Sequence, residues 1–401
     1  MRVSIPQLLP LLLAGRVNSL AHDSGVYGPA LELVHRYYDQ FPTGVAVSSI
    51  GRMFSCYPLG LDANNIRYQV AELTNPTTEV PYPSAEINYP PGGAVNYSTS
   101  PATTVNYPNH LISVQSVVVD SKDRLWILDT GRANTANKTL LLSSYGGPKL
   151  VGVDLATNQV FKTILFPRDV AYADSYPNDV RFDLRPDLNG TSGEGVAYLT
   201  DSSPEGRNGL MVVDLGTGKS WRQLDGLALT KAEPDFRAFI WGDTVDVSTG
   251  TDGISLSADG ETLYFGVVSG RDVYSIPTAI LRDSSSAGIA LAKKSVSKLT
   301  QKGVSDGYEV DSDGRIYMGS FESNAINVFY PGNVSVETFV RDPRMGWTDT
   351  MSVVTLKENA TGVEKGYLYF TENQLWRQDR ERPFALFRVA LPDGAGKAIL
   401  A

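Results

Sequence analysis

The stretch Gly307-Tyr-Glu-Val-Asp311-Ser-Asp-Gly314-Arg-Ile-Tyr317 decides the fold. A short apolar run meets Asp-Ser-Asp-Gly, which is turn chemistry, and the chain returns in a second run with an aromatic residue at its centre. The same unit occurs as Val114-Gln-Ser-Val-Val-Val-Asp120-Ser-Lys-Asp123-Arg-Leu-Trp126 and as Gly253-Ile-Ser-Leu-Ser257-Ala-Asp-Gly260-Glu-Thr-Leu-Tyr264. A degenerate copy is Gly44-Val-Ala-Val-Ser48-Ser-Ile-Gly51-Arg-Met-Phe54, and insertions stretch two more, Val180–Phe182 with Val196–Tyr198 and Met351–Val354 with Tyr367–Tyr369. Outer strands follow in most copies, such as Leu150–Asp154 with Val160–Ile164 and Leu210–Asp214 with Ser220–Trp221. Four short strands in each of six units predict an all-β fold, a six-bladed β-propeller with four-stranded antiparallel blades. A β-sandwich would not repeat one double hairpin six times. Only Ile276–Arg282 and Leu31–Tyr37 suggest helical turns.

The chain has 401 residues, 42% hydrophobic and 20% charged, enough for one large core with no disordered class in view. The formal net charge of -9, with no Lys/Arg cluster, sets nucleic acid aside and argues against an anionic membrane as partner. Arg2, the apolar run Ile5–Ala14 and the small residues around Ser19-Leu20-Ala21 read as a signal peptide over residues 1–21, leaving a single propeller domain over 22–401 in the secretory lumen or outside the cell. The run is too short to span a bilayer. With Cys56 as the one cysteine, no internal disulfide is possible, and a buried structural thiol is expected. Sequons at Asn96, Asn137, Asn189, Asn333 and Asn359 suit a glycosylated, exported protein.

The motifs Leu125-Trp126-Ile127-Leu128-Asp129-Thr130-Gly131, Tyr198-Leu199-Thr200-Asp201-Ser202-Ser203 and Gly253-Ile-Ser-Leu-Ser257 resemble, in order, those of the Yellow/major royal jelly protein family. The likeness covers roughly residues 30–390 and implies a six-bladed propeller. The chain lacks the cysteine pairs of the insect members, and its Pro-, Tyr- and Asn-rich stretch from Glu79 to Asn109 is similar to the fungal branch. Within that branch it resembles hetero-Diels–Alderases of tropolone–sesquiterpene biosynthesis.

In a propeller, residues just before the innermost strand and just after the second strand gather at one rim of the channel. Here these are Asn178-Asp179, Thr251-Asp252, Ser305-Asp306 and Asp349-Thr350, then Asp129-Thr130-Gly131-Arg132, Asp201-Ser202, Glu322-Ser-Asn324 and Glu372-Asn373-Gln374. His110 and Gln115 sit at the matching place in an earlier blade. Three readings of this acidic ring stand side by side: carboxylates that tie blades through backbone N–H groups, a divalent-metal site, and a pocket for an organic ligand with aromatic walls. No ligand spacing demands a metal, so none is assigned. Nucleophilic hydrolysis has little support, since Gly-x-Ser-x-Gly is absent and His22 and His35 read as surface residues.

The resemblance implies a cyclase of secondary metabolism that needs no cofactor. It would eliminate water from an alcohol, giving a quinone methide, and hold that species against an alkene of a small amphipathic substrate. For this chemistry Arg132, His110 and Gln115 are candidate donors, and Asp129 or Asp306 the candidate acid or base. Asp179, Asp252, Tyr308, Phe321, Asn324, Trp347 and Asn373 are the candidate substrate contacts. Two other functions remain open at this point: a secreted binder of small amphipathic molecules, and a calcium-dependent lactonase.

Overall fold

The computed structural model describes residues 23–358 and 362–400, so the signal segment and Asn359 lie outside the described residues. Six four-stranded antiparallel sheets form the ring. The first blade runs Val45–Val47, Met53–Cys56, Val70–Asn75 and Thr78–Pro81 from the channel outward. The second is Val114–Val119, Arg124–Asp129, Lys149–Asp154 and Gln159–Leu165, and the third Pro177–Asp183, Val196–Asp201, Gly209–Asp214 and Ser220–Gln223. The fourth is Thr251–Leu256, Thr262–Val267, Asp272–Pro277 and Ser297–Gln301, and the fifth Tyr308–Val310, Ile316–Ser320, Ala325–Tyr330 and Ser335–Arg341. The sixth takes Trp347–Lys357, Glu364–Asn373 and Phe384–Ala390 from the end of the chain and its outer strand, Glu32–Tyr37, from the beginning.

The segment Leu31–Tyr37 is therefore a strand, not a helical turn. Its inward positions His35 and Tyr37 are buried while Arg36 is exposed, which is the period of two that an edge strand shows. His35, expected at the surface, is buried because both ring nitrogens meet acceptors, the Asn75 carbonyl at 2.8 Å and the Glu79 carboxylate at 3.2 Å. The second helical segment is met in part. Ile276 and Pro277 end a strand, Thr278–Leu281 is one helical turn, and Ser286–Ala292 adds a helix capped by the Ser285 hydroxyl, which accepts from Gly288 N at 3.1 Å.

The repeated turn has a physical reading. Its fourth residue has positive φ in four copies: Gly51 (83°), Asp123 (55°), Gly260 (74°) and Gly314 (80°). Glycine takes that conformation without a Cβ clash, which is why three of the four are glycine. In two blades the leading aspartate then fastens the hairpin from below. Asp120 accepts from the amides of Lys122 and Arg124, the Arg124 guanidinium and Trp126 Nε1, while Asp311 accepts from the amides of Asp313 and Arg315, the Arg315 guanidinium and Tyr317 OH. The spacing Asp-x-x-x-Arg-x-aromatic shared by these two copies is this network.

Between neighbouring blades lie six apolar clusters, and the last of them, with Tyr37, Phe41, Val45, Val354, Tyr369 and Phe384, joins the sixth blade to the first. The C-terminal tail crosses the lower end of the channel. Lys397 donates to the Val119 and Asp120 carbonyls, Gly396 and Ser312 bond each other, and the Leu400 carbonyl accepts from Leu184 N at 2.9 Å. Among the described residues no helix is long and apolar enough to cross a membrane.

Asp311 is fully buried with four donors on its carboxylate. Asp311→Ala is expected to destabilise the protein by roughly 2–4 kcal/mol in denaturant unfolding, because a buried phenol and a guanidinium lose their acceptor. A change within experimental error would show that the turn does not need its aspartate.

Candidate active site at the channel mouth

What aims side chains into the channel is a set of β-bulges. In four blades the innermost strand carries one extra residue near its start, against a second strand that has none. The register slips between Val114 and Ser116, Pro177 and Val180, Thr251 and Ile254, and Thr348 and Met351. A bulge re-aims the side chain it carries. The bulged segments contain Gln115, Asn178-Asp179, Asp252 and Asp349, and Asp306 precedes the innermost strand of the fifth blade.

These groups floor a chamber of about 100 Å³. Its polar surface is Gln115, Tyr176, Asn178, Asp252, Asp306 and Asp349 with Ser202 and Thr249, and its wall is Trp347, Leu61, Leu140, Pro204, Val268 and Leu375. Asn178 Nδ2 donates to Asp252 at 2.6 Å, Trp347 Nε1 to Asp306 at 2.6 Å, and Asn373 Nδ2 to Asp349 at 2.8 Å. Asp252 and Asp306 lie near enough that each shifts the other, and two buried carboxyls so placed resist ionising together. Burial in the channel, reinforced by the neighbouring carboxylates, drives Asp252 and Asp349 well above the usual range and pushes Asp306 up to about 7. The Tyr176 hydroxyl donates to Gln115 Oε1 at 3.0 Å and is held protonated by its burial. Beneath the chamber, Asp179 accepts from Ser116 and from Arg181 Nη1 at 2.8 Å.

The candidate residues sort cleanly. Gln115, Asp252, Asp306 and Trp347 line the chamber, Asp179 lies under it, and Asn373 orients Asp349. Phe321 stacks behind Trp347, with ring centroids 4.0 Å apart and planes 8° from parallel. Tyr308 sits in the layer behind, where its carbonyl accepts from Arg181, and Asn324 donates to the Met345 carbonyl ahead of Trp347. The structure does not bring His110, Asp129 or Arg132 to the chamber. His110 leans on Tyr107, with Nδ1 at 3.1 Å from Asn109. Asp129 is buried under three backbone amides and Lys149 Nζ at 2.9 Å, so it closes a blade and has no free oxygen for chemistry. Arg132 clamps the Glu205 carboxylate through both terminal nitrogens and reaches the Leu141 and Asp174 carbonyls. It shapes the wall by fixing the loops that carry Leu140 and Pro204.

The rim ring thus contains two kinds of carboxylate. Those after the second strands, Asp129, Asp201 and Glu372, accept backbone N–H groups from the segment ahead of their own blade. Those before the first strands face the channel. Sequence reasoning passed over Tyr176, from the loop ahead of the third blade, and over Leu61, Leu140, Pro204, Val268 and Leu375, from loops that follow the second strand within their blades and carry no repeat signal. Cys56 is buried, its thiol pushed up to about 12 and donating to the Gln115 carbonyl, a structural role. Of the sequons, Asn137, Asn189 and Asn333 are exposed and Asn96 is half-buried.

The channel carboxylates do not fit a divalent cation as arranged. Each already holds a side-chain donor, and among the described residues no three His, Cys, Asp or Glu side chains are placed to bind a metal.

Fold and site define a six-bladed propeller with a cluster of buried carboxylates at the mouth of its channel. The sequence profile of the major royal jelly proteins matches residues 112–384, and the chain belongs to that family. It is 26% identical over 177 residues to major royal jelly protein 1 of Apis mellifera, covering 43% of this chain and 38% of the bee protein. It is 30% identical over 187 residues to protein yellow of Drosophila pseudoobscura pseudoobscura, covering 44% of this chain and 30% of the fly protein. These matches thus span well under half of either relative. Among solved structures, the luciferin-regenerating enzyme aligns with a TM-score of 0.53 at 11% identity, over 93% of this chain and 98% of that one. Regucalcin, a calcium-binding protein from Agrobacterium tumefaciens, aligns at 0.50 and 12%, over 92% and 95%. These structural likenesses show the fold alone.

The buried acids set a pH dependence. Asp306 titrates near 7 and Glu372, buried against Thr348 and Gly346, near 8, both far above their unfolded values. The folded state therefore holds protons that the unfolded state has released. This stabilisation is complete below about pH 4 and is lost as pH rises through 7 to 8. The doubly substituted Asp306→Asn, Glu372→Gln protein is expected to lose less melting temperature than the wild type between pH 5 and pH 8. Parallel curves would contradict the assignment.

Proposed function

We propose that the chamber is the site of a cofactor-independent dehydrative cyclisation of a small amphipathic substrate, in the manner of the hetero-Diels–Alderases that the sequence resembles. The observation that carries this reading is the placement of Asp252 and Asp306, buried side by side against an apolar wall, which raises their hold on a proton. A carboxylic acid that stays protonated near neutral pH can protonate a leaving hydroxyl, which a solvated carboxylate cannot. For an ortho-hydroxybenzylic alcohol the pair donates its proton, the benzylic C–O bond breaks and water departs. The phenolic O–H proton then returns to the pair, and its electrons form the carbonyl of the quinone methide, so the acid is restored. Gln115, held by Tyr176 through its carbonyl, keeps its amide N–H free to polarise the developing carbonyl. The stacked Trp347 and the leucines shield the intermediate from water while an alkene adds across it. The chamber holds the reacting head, and the rest of the substrate lies in the mouth.

The test is incubation with an ortho-hydroxybenzylic alcohol and a humulene-type alkene, followed by chiral chromatography of the adduct. Enantiomeric enrichment is expected, and Asp306→Asn should lower kcat by about 10²–10³-fold. A racemic product formed at the uncatalysed rate, with the alcohol bound but unchanged, would overturn turnover and leave a binding protein.

The exposed sequons support export as part of this proposal. Protein made in a eukaryotic host should lose mass on glycosidase treatment and carry its glycans at Asn137, Asn189 or Asn333, whereas an unmodified product retained in the cell would contradict it.

A further inference from the structure

Beside the chamber lies a groove of about 590 Å³, and the two share Leu61 and Leu375 in their walls. The groove carries four cations, Lys138, Arg377, Arg380 and Arg382, against the carboxylates of Asp62 and Asp379. This is a local positive excess on a chain whose net charge is -9. Two of the four cations are answered internally. Arg380 lies over the Phe41 ring and pairs with Asp62 at 2.8 Å, and Arg377 pairs with Glu381 at 3.1 Å. The other two have no carboxylate partner among the described residues, and Arg382 lies over the Phe384 ring, at 5.6 Å from its centroid. Lys138 is exposed and has no ion-pair partner among the described residues. Arg382 donates Nε to the Asp39 carbonyl at 2.8 Å, and its terminal nitrogens have no hydrogen-bond acceptor among the described residues. The Asp39 carboxylate is itself paired with Arg67.

The arrangement has one end apolar and one end cationic, at the only place on the rim where a cationic groove meets the chamber wall among the described cavities. The two charges also differ in kind. Lys138 is a mobile point charge on a loop, and Arg382 is a planar fork held by its Nε. A fork and a point charge suit the two oxygens of a carboxylate.

We propose that this groove is the recognition site for the head group of an organic acid, a carboxylate whose apolar portion reaches past Leu61 and Leu375 into the chamber. The assignment rests on the reading of the chamber as the place of an organic ligand, but it concerns binding alone and needs no turnover.

The test compares decanoate with 1-decanol by calorimetry and by quenching of tryptophan fluorescence, in the wild type and in Lys138→Gln, Arg382→Gln. Neither residue belongs to the chamber or to a blade core, so the variant is expected to melt as the wild type does. Decanoate should bind more tightly than decanol, and the double substitution should weaken decanoate by about fivefold to tenfold while leaving decanol unchanged. The preference should also fall with salt, because the groove is open to solvent. Equal affinities in the wild type, or a preference for decanoate that survives the double substitution, would overturn the proposal. Asp306→Asn separates this site from the chemistry. It should keep the preference for decanoate, so failure of the cyclisation and failure of the acid site give different results.

Discussion

Everything in this molecule depends on the pairing of Glu32–Tyr37 with Phe384–Ala390. A twisted sheet with a free edge has unpaired N–H and C=O groups, and a ring of blades is stable only when its last blade is complete. The chain solves this by lending its first strand to its last blade, so that residues some 350 positions apart share one ladder. The apolar cluster behind that ladder then joins the sixth blade to the first. The buried contact of His35 with Glu79 adds a polar fastening at the same joint. Closure is what buries the channel carboxylates, and burial is what raises their affinity for protons.

The channel shows how one residue type serves opposite ends through its surroundings. Asp129 and Asp201 each meet a buried cation and several backbone donors, and their charge is consumed in holding the blades. Asp252, Asp306 and Asp349 meet neutral donors and each other. A neutral amide or indole N–H steadies an anion much less than a guanidinium does, so these groups answer desolvation by taking protons. Arg181 stands beneath them, between Asp179 and Glu309, and separates the upper chamber from a lower cavity of about 80 Å³.

The fold was plain in the sequence because the repeat is written in turn chemistry: a leading Ser or Asp, a left-handed fourth position, and an arginine and aromatic two residues apart. Each has a local physical cause, and local causes survive in a linear string. The rim was legible to the level of blade ends, which placed Gln115, Asp252, Asp306 and Trp347 together. The division between structural and channel-facing carboxylates was not, because a one-residue bulge leaves no mark in composition or period, and Asp129 reads like Asp252 until its partners are seen. The edge strand at Leu31–Tyr37 was misread for a related reason. Its strand partners lie at the far end of the chain, and nothing local announces them.

The C-terminal tail, laid across the lower end of the channel, is a strap over the base of the ring. Lys397 and Leu400 bond to blades two and three there, and Gly396 to blade five. On the proposed reading, with the base so strapped, two reactants would have to arrive in a fixed order, the one seated deeper coming first. A product that lingers would bar the next arrival, so departure, as much as chemistry, would govern the pace at which such a propeller works.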